Sequence, residues 1–222
     1  MQIHKTDSGL LHSNMYVIEE AGHAIVIDPC RDTEAARALT VDYLIVTHEH
    51  YDHISGVNEW KQLTGAPLLC SKACAANLPN PKKNMSRSFD GFCAMQTWVQ
   101  AEDTEAGAIE YSCEADLTFE DSMMVAWQGH TVRLMELPGH SSGSIGIFVD
   151  ETDFFSGDSI LEGSAIELRF PGGSAKKWEE VGEKRIEAIP AGTRIWPGHF
   201  DGFILPETRG DGWRKDKDVA IQ

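Results

Sequence analysis

The sequence predicts an α/β protein folded as one layered domain over residues 1–222, and three observations predict it. Short β-rich runs recur in both halves of the chain. An amphipathic spacing over 52–63 and a helical stretch over 177–189 separate those runs. No Pro/Gly-rich linker, repeat or low-complexity segment divides the 222 residues, a length that one large domain can use.

Taken in order, Asn14–Ile18 and His23–Ile27 are β-rich runs flanking Glu19 to Gly22, which reads as a hairpin turn. Asp28 and Pro29 end the second run, and the Ala-rich 33–39 suits a short helix. Tyr43 to Thr47 is a buried strand that runs into a histidine-rich loop. From Asp52 to Leu63, the residues Ile54, Val57, Trp60 and Leu63 recur at spacings of three, the mark of a helix with one apolar face. Pro67 to Cys70 is a further strand. Residues 79–116 break every period with prolines, lysines and serines, and read as an irregular, lid-like excursion with some helix. Strands resume at Met123–Trp127, Thr131–Leu137, Ser144–Val149 and Asp153–Phe155, followed by the helix at 177–189 and a last strand at Arg194–Trp196.

Composition narrows the partners. With 19 Lys and Arg against 35 Asp and Glu, the net charge of −16 repels phosphate backbones and anionic lipid, so neither nucleic acid nor membrane is expected. A small-molecule substrate is the expected partner, and nothing in the sequence sets an oligomeric state. No run approaches the length of a membrane helix and no signal peptide opens the chain, so a cytoplasmic protein is expected. Five cysteines, an odd number with no CxxC pair, read as buried thiols rather than a disulfide framework.

The chemistry is concentrated in Thr47 to His53, where His48, His50, Asp52 and His53 lie within six residues directly after a buried strand. Imidazole is a strong ligand for zinc or iron, and a carboxylate adds a hard anionic donor. In extended chain, residues two apart point to one side, so His48 and His50 can reach one ion while Asp52 and His53 aim at a second position. Three further candidates repeat one local design, an apolar strand, a Gly that turns the backbone, then a ligand-type side chain. They are His140 after Pro138-Gly139, Asp158 after Ser156-Gly157, and His199 after Pro197-Gly198. His4, His12, His23 and His130 lack this context.

Together the His-x-His-x-Asp-His motif, the Pro-Gly-His-Ser-Ser-Gly-Ser segment, Ser-Gly-Asp158 and Pro-Gly-His199 resemble the metallo-β-lactamase superfamily, in its usual order. The resemblance implies a four-layer αββα sandwich with its site at one edge between two sheets. It implies two divalent ions, zinc first with iron or manganese as alternatives. His48, His50 and His140 would hold one ion and Asp52, His53 and His199 the other, with Asp158 bridging and Asp28 supporting the ligand loop from behind. The bridging aspartate and the Arg169 to Ser174 element resemble the glyoxalase II-like branch. Only 23 residues follow His199, so that enzyme's helical C-terminal domain is expected to be absent.

The expected activity is hydrolysis of a thioester or ester. Two divalent ions sharing a water lower its pKa from about 15.7 toward about 7, and the resulting hydroxide attacks the carbonyl carbon. Asp52 orients the hydroxide and passes its proton to the leaving group. Arg169 and Trp98 are the candidate substrate contacts. A lactonase is the nearest alternative; a phosphodiesterase and a non-catalytic metal-binding or ligand-sensing protein stand behind it.

Overall fold

Apolar side chains alternate along the strands at Tyr16 and Ile18, Ile25 and Ile27, and again at Ile145, Ile147 and Val149, all of them buried. Such a period of two gives each sheet one face to bury against another layer. In the computed structural model, which describes residues 1–94 and 109–207, two six-stranded sheets bury these faces against each other. The first sheet runs β1 (Gln2–Asp7), β2 (Asn14–Glu20), β3 (His23–Ile27), β4 (Thr40–Ile45), β5 (Leu68–Ser71) and β6 (Leu117–Phe119), in that spatial order. The second contains β7 (Ser122–Trp127), β8 (His130–Glu136), β9 (Ile145–Val149), β10 (Asp153–Gly157), β11 (Arg194–Pro197) and β12 (Phe203–Ile204), also neighbour to neighbour.

Helices cover both outer faces. On the first sheet lie α1 (Tyr51–Ile54), α2 (Val57–Thr64), α3 (Lys72–Ala75) and α4 (Phe89–Cys93), with Tyr51, Ile54, Trp60 and Phe89 in a core beneath them. On the second lies a helical segment made of α5 (Ala175–Lys177), a π turn at Trp178–Gly182 and α6 (Glu183–Glu187), with Trp178 and Ile186 buried against Phe148 and Phe154. The layers are therefore α, β, β, α, as expected.

Differences from the sequence reading are local. The expected helix at 52–63 is two helices, because Ser55 and Gly56 interrupt it where a Cβ on Gly56 would lie 1.9 Å from the carbonyl oxygen of Cys30. The helix expected at 33–39 is one turn of 3-10 helix at Glu34–Arg37 with no buried residue to hold it. The hairpin between β2 and β3 is tighter than Glu19 to Gly22. Glu20 pairs with His23, and Ala21 and Gly22 make the turn with φ of +52° and +81°. Strands β1, β6 and β12 were not anticipated. Of the 79–116 excursion, residues 79–94 are irregular apart from a 3-10 turn at Ser86–Ser88 and α4, and 109–116 carry no regular element. Trp98 lies outside the described residues.

Candidate metal centre

His48, His50, His140, Asp158 and His199 are delivered by the turns after strands and Asp52 and His53 by the short helix α1, and backbone bonds hold the strand ends together. The carbonyl of Thr47, past β4, accepts from Ile145 N (2.8 Å), joining the two sheets beside the histidine loop. Gly198 N donates to Gly157 O (2.8 Å), and Asn14 N donates to Gly198 O (2.7 Å). Asp158 and His199 are thereby fixed to each other and to β2. Gly198 must lack a side chain here, since a Cβ would stand 2.1 Å from Asp158 Oδ1 and 2.9 Å from His53 Cε1.

The fold brings all seven expected side chains into one cluster. Donor atoms of His48, His50 and His140 lie within 4.8 Å of one another, as do those of His48, His53 and Asp158, and those of Asp52, His53 and His199. His50 Nδ1 is 3.0 Å from His140 Nε2. Asp52 Oδ2 lies 3.4 Å from both His53 Nε2 and His199 Nε2. The two oxygens of Asp158 divide their neighbours: Oδ1 is 3.4 Å from His53 Nε2, and Oδ2 is 3.5 Å from His140 Nε2 and 3.4 Å from His199 Nε2.

Four of the five imidazoles are oriented by a bond on the far side of the ring. His140 Nδ1–H donates to Glu167 O (2.9 Å) and His199 Nδ1–H to Leu11 O (3.0 Å). His53 Nδ1–H donates to Asp28 Oδ2 (3.0 Å). Thr47 Oγ1 donates to the same Asp28 oxygen (2.7 Å), so its lone pairs are left to accept from His48 Nδ1 (3.0 Å). Asp28 also accepts from Thr47 N (2.6 Å) and so sets two rings, one directly and one through Thr47. Each bond places the hydrogen on Nδ1 and leaves Nε2 with a bare lone pair in the neutral ring, the tautomer a metal ligand needs.

The electrostatics divide the cluster. Burial, reinforced by neighbouring imidazoles, holds His48 and His140 below the ordinary histidine range and His50 at about 3, so these three rings are neutral. Burial also acts against charge on His53, but Asp52, Asp158 and Asp28 outweigh it and raise its pKa to about 9. His199 is raised in the same way, burial being overcome by Asp158 and Asp52. Burial would push Asp158 and Asp52 up, yet the facing histidines, His199 and His53, hold both below the usual carboxylate range. Two carboxylates thus face two protonated imidazoles, whose protons bound cations would displace.

The donors fit divalent metal. His48 Nε2, His53 Nε2 and Asp158 Oδ1 are buried without a hydrogen-bond partner, a costly state for polar atoms that a shared cation would relieve. No solvated surface cluster would need that.

Glu49 was missed as a structural element of the centre. It points opposite to His48 and His50, is fully buried, and accepts from Ser141 Oγ (2.8 Å) and Asn77 Nδ2 (2.8 Å). It therefore ties the first ligand loop to the turn after His140, and the serines of that turn were the available signal. Arg169, expected as a carboxylate contact, lines the cavity beside the centre and is paired with Glu167, its Nε 2.9 Å from Oε1.

This chain belongs to the metallo-β-lactamase superfamily, whose family model matches residues 8–199. It is similar to the hydroxyacylglutathione hydrolase of Rhodospirillum rubrum, with 26% identity over 184 residues, 80% of this chain and 57% of that enzyme. The chain therefore spans less than two thirds of that relative's length. Among solved structures, the BLEG-1 B3 metallo-β-lactamase has 22% identity and a TM-score of 0.77, covering 92% of this chain and 94% of the other. TTHA1623, solved in a di-iron-bound form, has 25% identity and a TM-score of 0.68, covering 91% and 94%. The four-layer fold is that of the family, and a divalent-metal centre agrees with the cluster.

Proposed function

We propose that the protein is a dinuclear metal-dependent hydrolase acting on a thioester or ester. The observation that carries this is Asp158, whose two oxygens face different members of the cluster from a position between them. His48, His50 and His140 would hold one ion, Asp52, His53 and His199 the other, and Asp158 would be shared. Bound ions would polarise the substrate carbonyl and make water acidic enough to serve as a nucleophile at neutral pH.

The chain's own groups then have defined tasks. In the metal-free protein His53 and His199, against the effect of burial, hold the Asp52 carboxyl below the usual carboxylate range, and bound cations would keep it ionised in the same way. Its Oδ2 is turned toward those two rings, and we assign to its Oδ1 the proton released by the nucleophile and passed on to the leaving thiolate or alkoxide. Asp28, Glu167 O and Leu11 O keep the rings from rotating during turnover. A hydroxyacylglutathione hydrolase among the relatives supports a thioester as substrate.

The test is a panel of thioesters, esters, homoserine lactones and a phosphodiester, run on protein reconstituted separately with zinc, iron and manganese. Thioester or ester turnover that a chelator abolishes is expected. Asp52→Ala should lower kcat by about 10²–10⁴-fold with an unchanged circular dichroism spectrum, and Asp158→Ala should reduce bound metal below two equivalents. Hydrolysis indifferent to chelator, or one equivalent bound by the wild-type chain, would overturn the proposal.

A further inference from the structure

Beside the centre lies a cavity of about 500 Å³ that reaches His50, Asp52, His140, Asp158 and His199. Its other described walls are apolar except at Glu167 and Arg169. Leu11, Met85, Phe89, Phe92, Phe170 and Phe200 line it, drawn from segments far apart in sequence. The aromatic wall is continuous with the ligands. The Phe170 ring sits 5.7 Å from that of His140 and 5.9 Å from that of His50, and Phe92 meets Phe170 edge-on at 4.8 Å. Phe89 is anchored behind it on Tyr51, with ring centroids 5.2 Å apart.

The charges on the same walls point one way. Apart from His199, which faces Asp52 and Asp158, Arg169 is the one cation among the described lining residues, and Glu167 engages both its Nε and its terminal nitrogen. The remaining charged residues are Asp52, Asp158 and Glu167 itself. A carboxylate on the distal end of a substrate would find aromatic edges and acids there, and no unengaged cation among the described residues. An uncharged hydrocarbon chain would be desolvated along the wall of Met85, Phe89, Phe92 and Phe170.

Resting on the hydrolase reading above, we propose that the wall formed by Phe89, Phe92, Met85 and Phe170 makes this enzyme selective for substrates whose acyl group is an uncharged, apolar chain. The carbonyl lies at the metal ligands and the chain extends along Phe170 toward Phe92. Hydrolysis adds water across the acyl bond, and the apolar acid and the protonated leaving group depart.

The experiment measures kcat/KM for thioesters of one common thiol with acyl groups from acetyl to decanoyl, and for the adipoyl half-acid. It also titrates metal-free protein calorimetrically with methyl ketones of the same chain lengths. Each methylene should raise both kcat/KM and ketone affinity about fourfold until the cavity is filled, and the adipoyl substrate should fall below hexanoyl. Phe92→Ala should flatten the chain-length dependence in both measurements, and Phe92→Leu, which keeps an apolar side chain, should restore most of it. Turnover that ignores chain length, or favours adipoyl, overturns the acyl assignment while leaving the hydrolase reading intact. No turnover of any substrate, with ketone affinity still rising along the series, overturns the hydrolase reading and supports the apolar pocket.

Discussion

Asp28 shows how much of the centre depends on a side chain that need not touch a metal. It is buried, adopts a positive φ of +51° at the end of β3, and takes bonds from Thr47 N, Thr47 Oγ1 and His53 Nδ1. Removing it frees His53 to rotate and leaves Thr47 without the acceptor that makes it an acceptor for His48 in turn. Asp28→Ala is expected to weaken metal binding about 10–100-fold, measured by competition with a chromogenic chelator, while Asp28→Asn, which still accepts through its carbonyl, should lose less. An equal loss in both variants would mean that the negative charge, rather than the orientation of the rings, is what Asp28 supplies. The seven donors could be read from the sequence because each sits at a local signal, the dense His48 to His53 motif or a strand followed by a Gly turn. Asp28's position could be inferred only by family resemblance. Glu167 O and Leu11 O could not be found, since a backbone carbonyl carries no side-chain signature.

Among the elements, legibility followed burial. Strands β9 and β10 are buried at every position and stood out through the apolar run Ile145–Val149 and the pair Phe154-Phe155. Strand β1 is exposed at four of its six residues, so no apolar alternation announced it, and β6 and β12 are only three and two residues long. These edge elements exist through long-range pairing, which local pattern does not contain. The break between α1 and α2 is a second case. The apolar spacing across 52–63 is real, but Gly56 passes so close to Cys30 that helical continuity yields to tertiary contact. Gly56→Ala is expected to cost about 1–3 kcal/mol through overpacking. Thermal and urea unfolding would check this, at roughly 2–4 °C of Tm per kcal/mol for a chain of this size. A change within error would show that the Cys30 segment moves aside freely.

For the molecule as a whole, the two classes of buried histidine set opposing pH dependences on the metal-free protein. His53 keeps a proton up to about 9 when folded but releases it near the ordinary 6.5 when unfolded, so its stabilisation is complete below 6.5 and is lost as pH rises toward 9. His199 acts in the same sense. His50 stays neutral down to about 3, so its contribution is present above 6.5 and is lost as pH falls. His48 and His140 add to that limb. Chelated protein should therefore be most resistant to urea near pH 6.5. Metal-loaded protein should lose the alkaline decline, because ligated imidazoles carry no proton on the donor nitrogen. Matching urea midpoints from pH 6.5 to 9 in the chelated form would contradict this.

The order of the strands also divides the donors. All strands of the first sheet come from residues before Glu120 and all strands of the second from residues after Asp121, so one stretch of chain supplies His48, His50, Asp52 and His53 and the other supplies His140, Asp158 and His199. Neither stretch owns a complete ligand set. Severed between Glu120 and Asp121, the protein becomes a coincidence detector. Fragments 1–120 and 121–222 produced separately should retain no metal after desalting, and their mixture should retain it only to the extent that the two sheets reunite.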